Sequence, residues 1–386
     1  MSGRTAFVYS REFEKYRFTE DHPFNPLRLR LTAELLEAAG LISPEEFVAP
    51  SPAALEEILM VHDPGYVRAV QAMSASGQPN DRAFTYDLGD GDNPVFQGMH
   101  EAAALVVGAT LTAANRVMTG GADHALNVGG GLHHAQRARP SGFCSYNDIA
   151  VAIKYLRRRY GARVVYVDTD AHHGDGVQWL FYEDPDVLTI SFHETGRYLF
   201  PGTGNVTERG RGRGYGYSVN IPLEPYTEDE SFLSCFNAVV PPLVRAFSPD
   251  VIISQNGCDA HCWDPLSHLC VTTTTYREVP RIVHELAHDV AGGRWIAVGG
   301  GGYEIWRVVP RAWTLLWAEL AGRQALLEIP KTWLERWRPK APSELPESLM
   351  DDPSRFPPMP RRQEISEKNW LTVQDVMAEV PFLPSR

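Results

Sequence analysis

The run Val164-Val165-Tyr166-Val167 is apolar and β-branched, and it stops at Asp168-Thr169-Asp170-Ala171-His172-His173-Gly174-Asp175-Gly176. Five ionisable side chains within eight positions follow a segment suited to a buried parallel strand. Ligands of α/β sheets gather at the carboxyl ends of such strands. If the chain stays extended past the strand, Asp168, Asp170 and His172 point to one side, because strand side chains alternate with period two. Two carboxylates and an imidazole form a metal-ligand set of borderline hardness. Gly174 and Gly176 let the backbone turn sharply afterwards. A lone Asp-x-Asp is more often a polar turn into a helix; the extended cluster outweighs that reading.

The same design recurs along the chain. Strands are expected at Ala6–Tyr9, Ala125–Val128, Val187–Phe192, Tyr217–Ile221, Val251–Ser254 and Trp295–Val298, besides the central one. Helical patterns run from Leu27 to Gly40, in two pieces between Pro52 and Ala69, from Pro94 to about Thr119, from Asn147 or Asp148 to Tyr160, and from Glu228 to Phe247. This alternation predicts a parallel sheet covered on both faces. His133-His134, the central cluster, Asp259 and Tyr303 behind four glycines all follow predicted strands, so they would meet at one sheet edge. Singly, tandem histidines are often a polar turn, Asp259 a helix cap and Tyr303 a core residue. Jointly they suit metal-assisted hydrolysis. Asp148 reads as a cap.

With 386 residues and 44% hydrophobic content, disorder is not the default. The net charge of −12 without a basic run argues against gripping nucleic acid or an anionic membrane. Met1 to Ser10 has no signal pattern and no apolar run approaches a membrane span, so a cytoplasmic protein is expected. The five cysteines are irregularly spaced, which predicts reduced thiols; Cys258 and Cys262, flanking Asp259, are candidates for a redox or auxiliary metal role. Ten of the 29 prolines lie from Pro330 to Pro384, so residues 323–386 are expected to form an extension with few regular elements. Trp333, Trp337 and Trp370 predict that it docks on the main domain, residues 1–322.

A rival motif is His284-Glu285-Leu286-Ala287-His288, which matches the zinc-peptidase pattern His-Glu-x-x-His. On a helix, Val279, Ile282, Val283, Leu286, Ala287 and Val290 share one side, which turns His284 and His288 toward solvent. A peptidase helix needs them in the cleft. No phosphate-binding Gly-Lys-Ser/Thr loop and no Gly-x-Ser-x-Gly elbow occurs, and Gly210 to Gly216 precede a strand rather than a helix.

Five motifs occur in order: Gly130-Gly131-Leu132-His133-His134-Ala135, Ser141-Gly142-Phe143-Cys144 with Asn147-Asp148, the Asp168–Gly176 cluster, Phe200-Pro201-Gly202-Thr203-Gly204 and Gly299-Gly300-Gly301-Gly302-Tyr303. Together they resemble the metal-dependent histone deacetylase family, from His22 to at least Trp317. Asp264-Pro265-Leu266-Ser267-His268-Leu269, the segment Ile305–Trp313 and the proline-rich tail look most like the bacterial acetoin-utilisation (AcuC-type) members.

The resemblance implies a single arginase/deacetylase-like α/β domain, a parallel eight-stranded sheet between helices. It implies hydrolysis of acetyl-lysine in proteins by a water that zinc and a histidine activate, with small acetylated amines such as polyamines as the alternative substrates. Zinc would be held by Asp170, His172 and Asp259, and iron(II) suits the same oxygen-rich set. His134 would be the general base and acid, assisted by His133, with Asp168 and Asp175 behind the two imidazoles; Tyr303 would bind the carbonyl oxygen. Phe143 and Phe200 would wall the tunnel beside Gly142, with Asp92 at the rim, Leu266 at the mouth and Arg28 by an acetate cavity. A structural potassium ion would take Asp168, Asp170, Ser191 and the carbonyls of His172 and Phe192. A second cation would take the carbonyls of Phe181, Asp184, Val187 and Tyr217. The partner implied is an acetylated protein, with no nucleic acid and no membrane. His261-Cys262-Trp263 departs from the family in its bulk and is expected to reshape the tunnel mouth.

Overall fold

The computed structural model describes residues 4–381. Met1 to Gly3, part of the start read above for a signal pattern, and Phe382 to Arg386, with Pro384 and the end of the expected extension, lie outside the described residues. In chain order the elements are β1 (Thr5–Val8), α1 (Leu27–Ala38), β2 (Phe47–Val48), α2 (Leu55–Ile58), α3 (Pro64–Ser76), α4 (Asp81–Thr85), α5 (Met99–Met118), β3 (His124–Asn127), α6 (Asp148–Tyr160) and β4 (Val164–Asp168). There follow α7 (Asp175–Leu180), β5 (Val187–Glu194), β6 (Ser218–Leu223), α8 (Asp229–Phe247), β7 (Val251–Gln255), α9 (Thr273–Val290), β8 (Trp295–Val298), α10 (Val309–Leu320), α11 (Lys331–Trp337) and α12 (Arg362–Ala378).

The strands form one eight-stranded sheet in the order β2-β1-β3-β8-β7-β4-β5-β6, with every pairing parallel. Helices α1, α10, α9 and α8 pack in series, and α5 packs on α6. Covered on both faces, β4, β5, β7 and β8 are buried at every position; β4, β7 and β8 are accordingly apolar over most of their length, while β5 alternates apolar residues with Thr189, Ser191 and His193. Register then fixes the working edge. Asn127 pairs with Val298, Val298 with Gln255 and Gln255 with Asp168, so four strands end in one row. The loops carrying His133-His134, Gly299–Tyr303, Asp259 and Asp170–His172 all leave from that row.

Several expectations change. The two-residue β2 carries too little pattern to be read. The helix expected from Pro94 begins at Met99, behind Gly98 with φ 81°; Phe96 is instead drawn into an aromatic group with Tyr16 and Phe18. The tail is more regular than its prolines suggest, because α11 and the 17-residue α12 both lie in it. Trp333 and Trp337 are buried and donate to Leu31 O and to Glu34 Oε2, each at 3.1 Å. Trp370, expected to dock, is 43% exposed. What anchors α12 is Asn369, fully buried, which accepts from Glu224 N (2.9 Å) and donates to Thr227 Oγ1 and Ser231 Oγ. Among the described residues no helix is long and apolar enough to cross a membrane.

Candidate active site

The glycines after β3 fold tightly because Asp148 holds them. Its buried carboxylate accepts Gly131 N and Leu132 N (2.8 Å) and is bonded by Thr110 Oγ1 at 2.6 Å. Asn147, not Asp148, is the cap of α6, accepting Ala150 N at 2.9 Å. Asn147 also donates to the carbonyls of His133 and Ala135. Two buried imidazoles are thereby fixed. His133 Nδ1 lies 2.8 Å from Asp168 Oδ2, His134 Nδ1 lies 2.7 Å from Asp175 Oδ1, and the two Nε2 atoms are 3.0 Å apart. Burial pushes the His133 imidazole down, but Asp168 and Asp170 outweigh it and raise it to about 9. Burial and the charge of His133 lower His134 to about 4 against the pull of Asp175.

Asp170, His172 and Asp259 come together one loop away. Their ligating atoms all lie within 4.8 Å of one another, and all three residues are buried. His172 Nδ1 is 2.9 Å from Asp259 Oδ2 and 3.2 Å from Asp170 Oδ1. Asp170 Oδ2 accepts Gly301 N (2.7 Å) and Gln255 Nε2 (2.6 Å), while Asp259 Oδ1 accepts Ala171 N (2.8 Å). Burial and the neighbouring Asp170 lift Asp259 to about 6. Two buried carboxylates beside one imidazole fit a divalent cation, since burying such charge needs a partner. Gly301 sits against them: a Cβ there would stand 2.0 Å from Asp259 Oδ2.

Tyr303 faces the same centre, its ring 6.5 Å from that of His172 and perpendicular to it. Its amide is fixed to Asp264 Oδ2 at 2.7 Å. Burial, then the charges of Asp259 and Asp170, hold its phenol far above the usual range, so it stays a proton donor. Phe143 packs edge-on to Tyr303 (5.8 Å) and Phe200 edge-on to His134 (5.0 Å). Gly142, with φ 48°, has to be glycine, because a Cβ would meet His134 Cδ2 at 2.4 Å. Outside lies a groove of about 490 Å³ that Asp92, Gly142, Asp175 and Phe200 share. Leu266 is half-buried on the loop after β7, its amide bonded to Asp264 Oδ1. Arg28 is buried behind Tyr303, donating to Gly302 O at 2.9 Å and lining a small internal void with Tyr16, Phe24 and Leu132.

The residues expected around the other cations are placed as follows. Asp168 stands in register with Ser191 on β5, next to Phe192, and Asp168 Oδ1 accepts Asp170 N. The carbonyls of Phe181 and Asp184 accept Asp184 N and Val187 N across the turn from α7 to β5, and Tyr217 O accepts Thr189 N.

Sequence reasoning missed the side chains that hold the site from behind. Tyr166 donates to Asp168 Oδ2 (2.5 Å), Gln136 to Asp175 Oδ2 (2.7 Å), and Gln255 and Asp264 orient Asp170 and Tyr303. Period-two alternation could have found Tyr166, two residues before Asp168; the others need the register. The bulk at His261–Trp263 does not shape the tunnel mouth. His261 is fully buried against Asp351 Oδ2 (2.9 Å), and Trp263 lies under the Arg307 guanidinium beside Phe356, facing the tail. Cys258 is buried alone, whereas Cys262 Sγ lies 2.9 Å from Cys270 Sγ; all five cysteines are free thiols.

Comparison with known proteins gives one consistent answer. A histone deacetylase domain model matches residues 22–320. The acetoin utilization protein AcuC of Bacillus subtilis is 53% identical over 373 residues, 97% of this chain and 96% of that protein. AcuC of Staphylococcus aureus MRSA252 is 48% identical over 367 residues, covering 95% and 94%. The crystal structure of an HDAC homologue from Aquifex aeolicus superposes with a TM-score of 0.85 at 30% identity, over 96% of this chain and 100% of that one. An HDAC homologue complexed with SAHA superposes with a TM-score of 0.86, also at 30% identity.

Proposed function

The chain belongs to the histone deacetylase family, and on that premise we propose that it hydrolyses acetyl-lysine in proteins, releasing acetate and free lysine, with zinc held by Asp170, His172 and Asp259. The observation that carries this reading is the convergence of these three ligands with the His133–His134 pair and the Tyr303 ring. Zinc bound there supplies a Lewis acid that polarises a carbonyl and acidifies a water; iron(II) could serve as well.

The chain's own groups do the rest. His134, neutral at Nε2, takes the proton of the attacking water, with Asp175 fixing its tautomer through Nδ1. His134 then returns that proton to the leaving amine, assisted by His133, whose Nε2 lies 3.0 Å away and whose Nδ1 faces Asp168. The Tyr303 phenol donates to the substrate carbonyl oxygen as it gains charge, a contact commonly worth about 3–4 kcal/mol. Phe143 and Phe200 flank the lysine stem, Asp92 accepts peptide N–H groups at the rim, and Arg28 is assigned to the inner, acetate side of the site. Asp168, Asp170, Ser191 and the carbonyls of His172 and Phe192 are assigned to a potassium ion. The carbonyls of Phe181, Asp184, Val187 and Tyr217 are assigned to a second cation.

A second reading, deacetylation of small acetylated amines, is favoured by the carboxylates of Asp87, Asp90 and Asp92 in the outer groove. Two are engaged: Asp90 bonds Asn93, and Asp87 lies 3.8 Å from Arg139. The mouth residue after Asp264-Pro265 is the apolar Leu266. The test is kcat/KM on an acetyl-lysine peptide against acetylspermidine, with and without a chelator, in wild type and Leu266→Glu. The peptide should win, the chelator should abolish both activities, and Leu266→Glu should narrow the gap. A wild-type preference for the polyamine would overturn the protein-substrate reading.

A further inference from the structure

The His-Glu-x-x-His helix has a use other than peptidase chemistry. Glu285, which would be the base of a peptidase, points outward and bonds Arg281 Nη1 at 2.6 Å, its side chain 62% exposed. His284 and His288 lie on the outer side of α9, as its apolar positions require. They do not merely face solvent there. His124, the first residue of β3, is buried beneath them. His288 Nε2 is 3.2 Å from His124 Nε2 and 3.1 Å from His284 Nε2. Glu319 on α10 fixes the third partner, its Oε1 2.8 Å from His284 Nδ1. The cluster sits at the amino edge of the sheet, opposite the edge that carries the candidate active site.

We propose that His124, His284 and His288 form a second transition-metal site, taking zinc or another borderline divalent ion through their three Nε2 atoms and clipping α9 to β3. Three observations support it. First, tetrahedral zinc with Zn–N bonds of about 2.0–2.1 Å puts its nitrogens ~3.3 Å apart, close to the contacts seen. Second, Glu319 accepts from His284 Nδ1, which leaves His284 Nε2 with a bare lone pair; a carboxylate behind a ligating imidazole is the usual support of such sites. Third, the His288 Nε2–H can satisfy only one of the two nitrogens it faces, so one lone pair stays unmatched unless an ion lies between them. The outer side of the cluster, at the exposed His288, leaves a fourth position for water.

Zinc content of the full chain, measured after zinc loading and gel filtration, tests the proposal. Wild type should hold two equivalents, and His288→Ala and His284→Ala one each. Glu319→Gln should keep two at high zinc but bind the second about 10- to 100-fold more weakly. Added zinc should raise the unfolding temperature of wild type more than that of His288→Ala, while the metal-free forms unfold alike, which excludes misfolding as the cause. Deacetylation by the loaded His288→Ala enzyme should match wild type. One equivalent in wild type, or two retained in His288→Ala, would overturn the site.

Discussion

Replacing Gly301 with alanine isolates the claim that two buried carboxylates must close on one cation. The backbone itself tolerates alanine, since Gly301 is not among the glycines with a left-handed φ. Its amide bond to Asp170 Oδ2 (2.7 Å) and its carbonyl bond from Cys258 N (2.8 Å) both survive the change. Only the new methyl conflicts. It would stand 2.0 Å from Asp259 Oδ2 and 2.9 Å from Asp170 Oδ2. Carbon and oxygen rarely approach closer than about 3.3 Å, so Asp259 must retreat by more than ~1 Å. That carboxylate cannot simply swing away, because its Oδ1 is tied to Ala171 N at 2.8 Å. Metal–ligand distances tolerate only about 0.2 Å. A displacement of ~1 Å at a reacting centre costs on the order of 10²-fold, equivalent to about 2.7 kcal/mol of barrier. Gly301→Ala should therefore lose one equivalent of zinc relative to wild type and at least about 100-fold in kcat/KM on an acetyl-lysine peptide. Gly91→Ala, where no atom lies within 4 Å of the added Cβ, is the control and should change neither. Full metal content with turnover within a few-fold of wild type would refute the reasoning, because the carboxylates would then have room that the structure denies them.

Tyr303→Phe should keep both metal content and substrate binding while kcat falls by about 10² or more, since the contact forms only as charge develops on the carbonyl oxygen; an unchanged kcat in stopped-flow or steady-state assays would make Tyr303 a packing residue. Acid stability should depend on His62, whose Nε2 accepts Asn147 N at 3.0 Å and whose Nδ1 faces Gln136 O at 3.0 Å, leaving no place for a second proton. Burial lowers it to about 4, so the unfolded chain takes the proton first. Its contribution is present above about pH 6.5 and is lost as pH falls toward 4, about 1.4 kcal/mol per pH unit and ~3 kcal/mol in all. Urea unfolding of His62→Gln across that window should show a slope shallower by about one proton; an identical slope would remove His62 from the account.

The strand ends were legible in the sequence for a physical reason. A strand buried on both faces must be apolar throughout, so Val164–Val167 and Trp295–Val298 contrast sharply with the polar and glycine residues after them. Which ends stand side by side is not a local property. It is set by pairings such as Gln255 with Asp168 and with Val298. That is why Gln255 was missed, Asp148 was read only as a cap and Asp264 only as part of a motif: each acts across a loop or strand that pairing alone brings near. His124 was invisible on the same ground, an isolated histidine whose partners lie 160 and 164 residues later. In the tail, prolines masked α12, whose buried face amounts to Asn369, Val373 and Val376 and so shows little periodic contrast.

The departure at His261 shows how the tail enters the site's architecture. Asp259 and His261 are two residues apart on the loop after β7, and both are fully buried. The first faces Asp170 and His172, and the second reaches the other way to Asp351 Oδ2 at 2.9 Å. Asp351 is in turn paired with buried Arg311 of α10 (2.9 Å) and bonded to Thr273 N at the start of α9 (2.8 Å). His261 and Arg311 draw the Asp351 carboxyl well below its usual range against the penalty of burial, so it is an anion at neutral pH. A buried anion with three partners cannot be vacated cheaply, because losing one charge leaves the others unpaired, typically at about 3–5 kcal/mol. The same loop carries Asp264, whose carboxylate fixes the Tyr303 amide. The backbone that presents Asp259 to Asp170 and His172 and positions Tyr303 is thus clamped from behind by a residue of the tail, and the bulk of His261 and Trp263 belongs to that clamp.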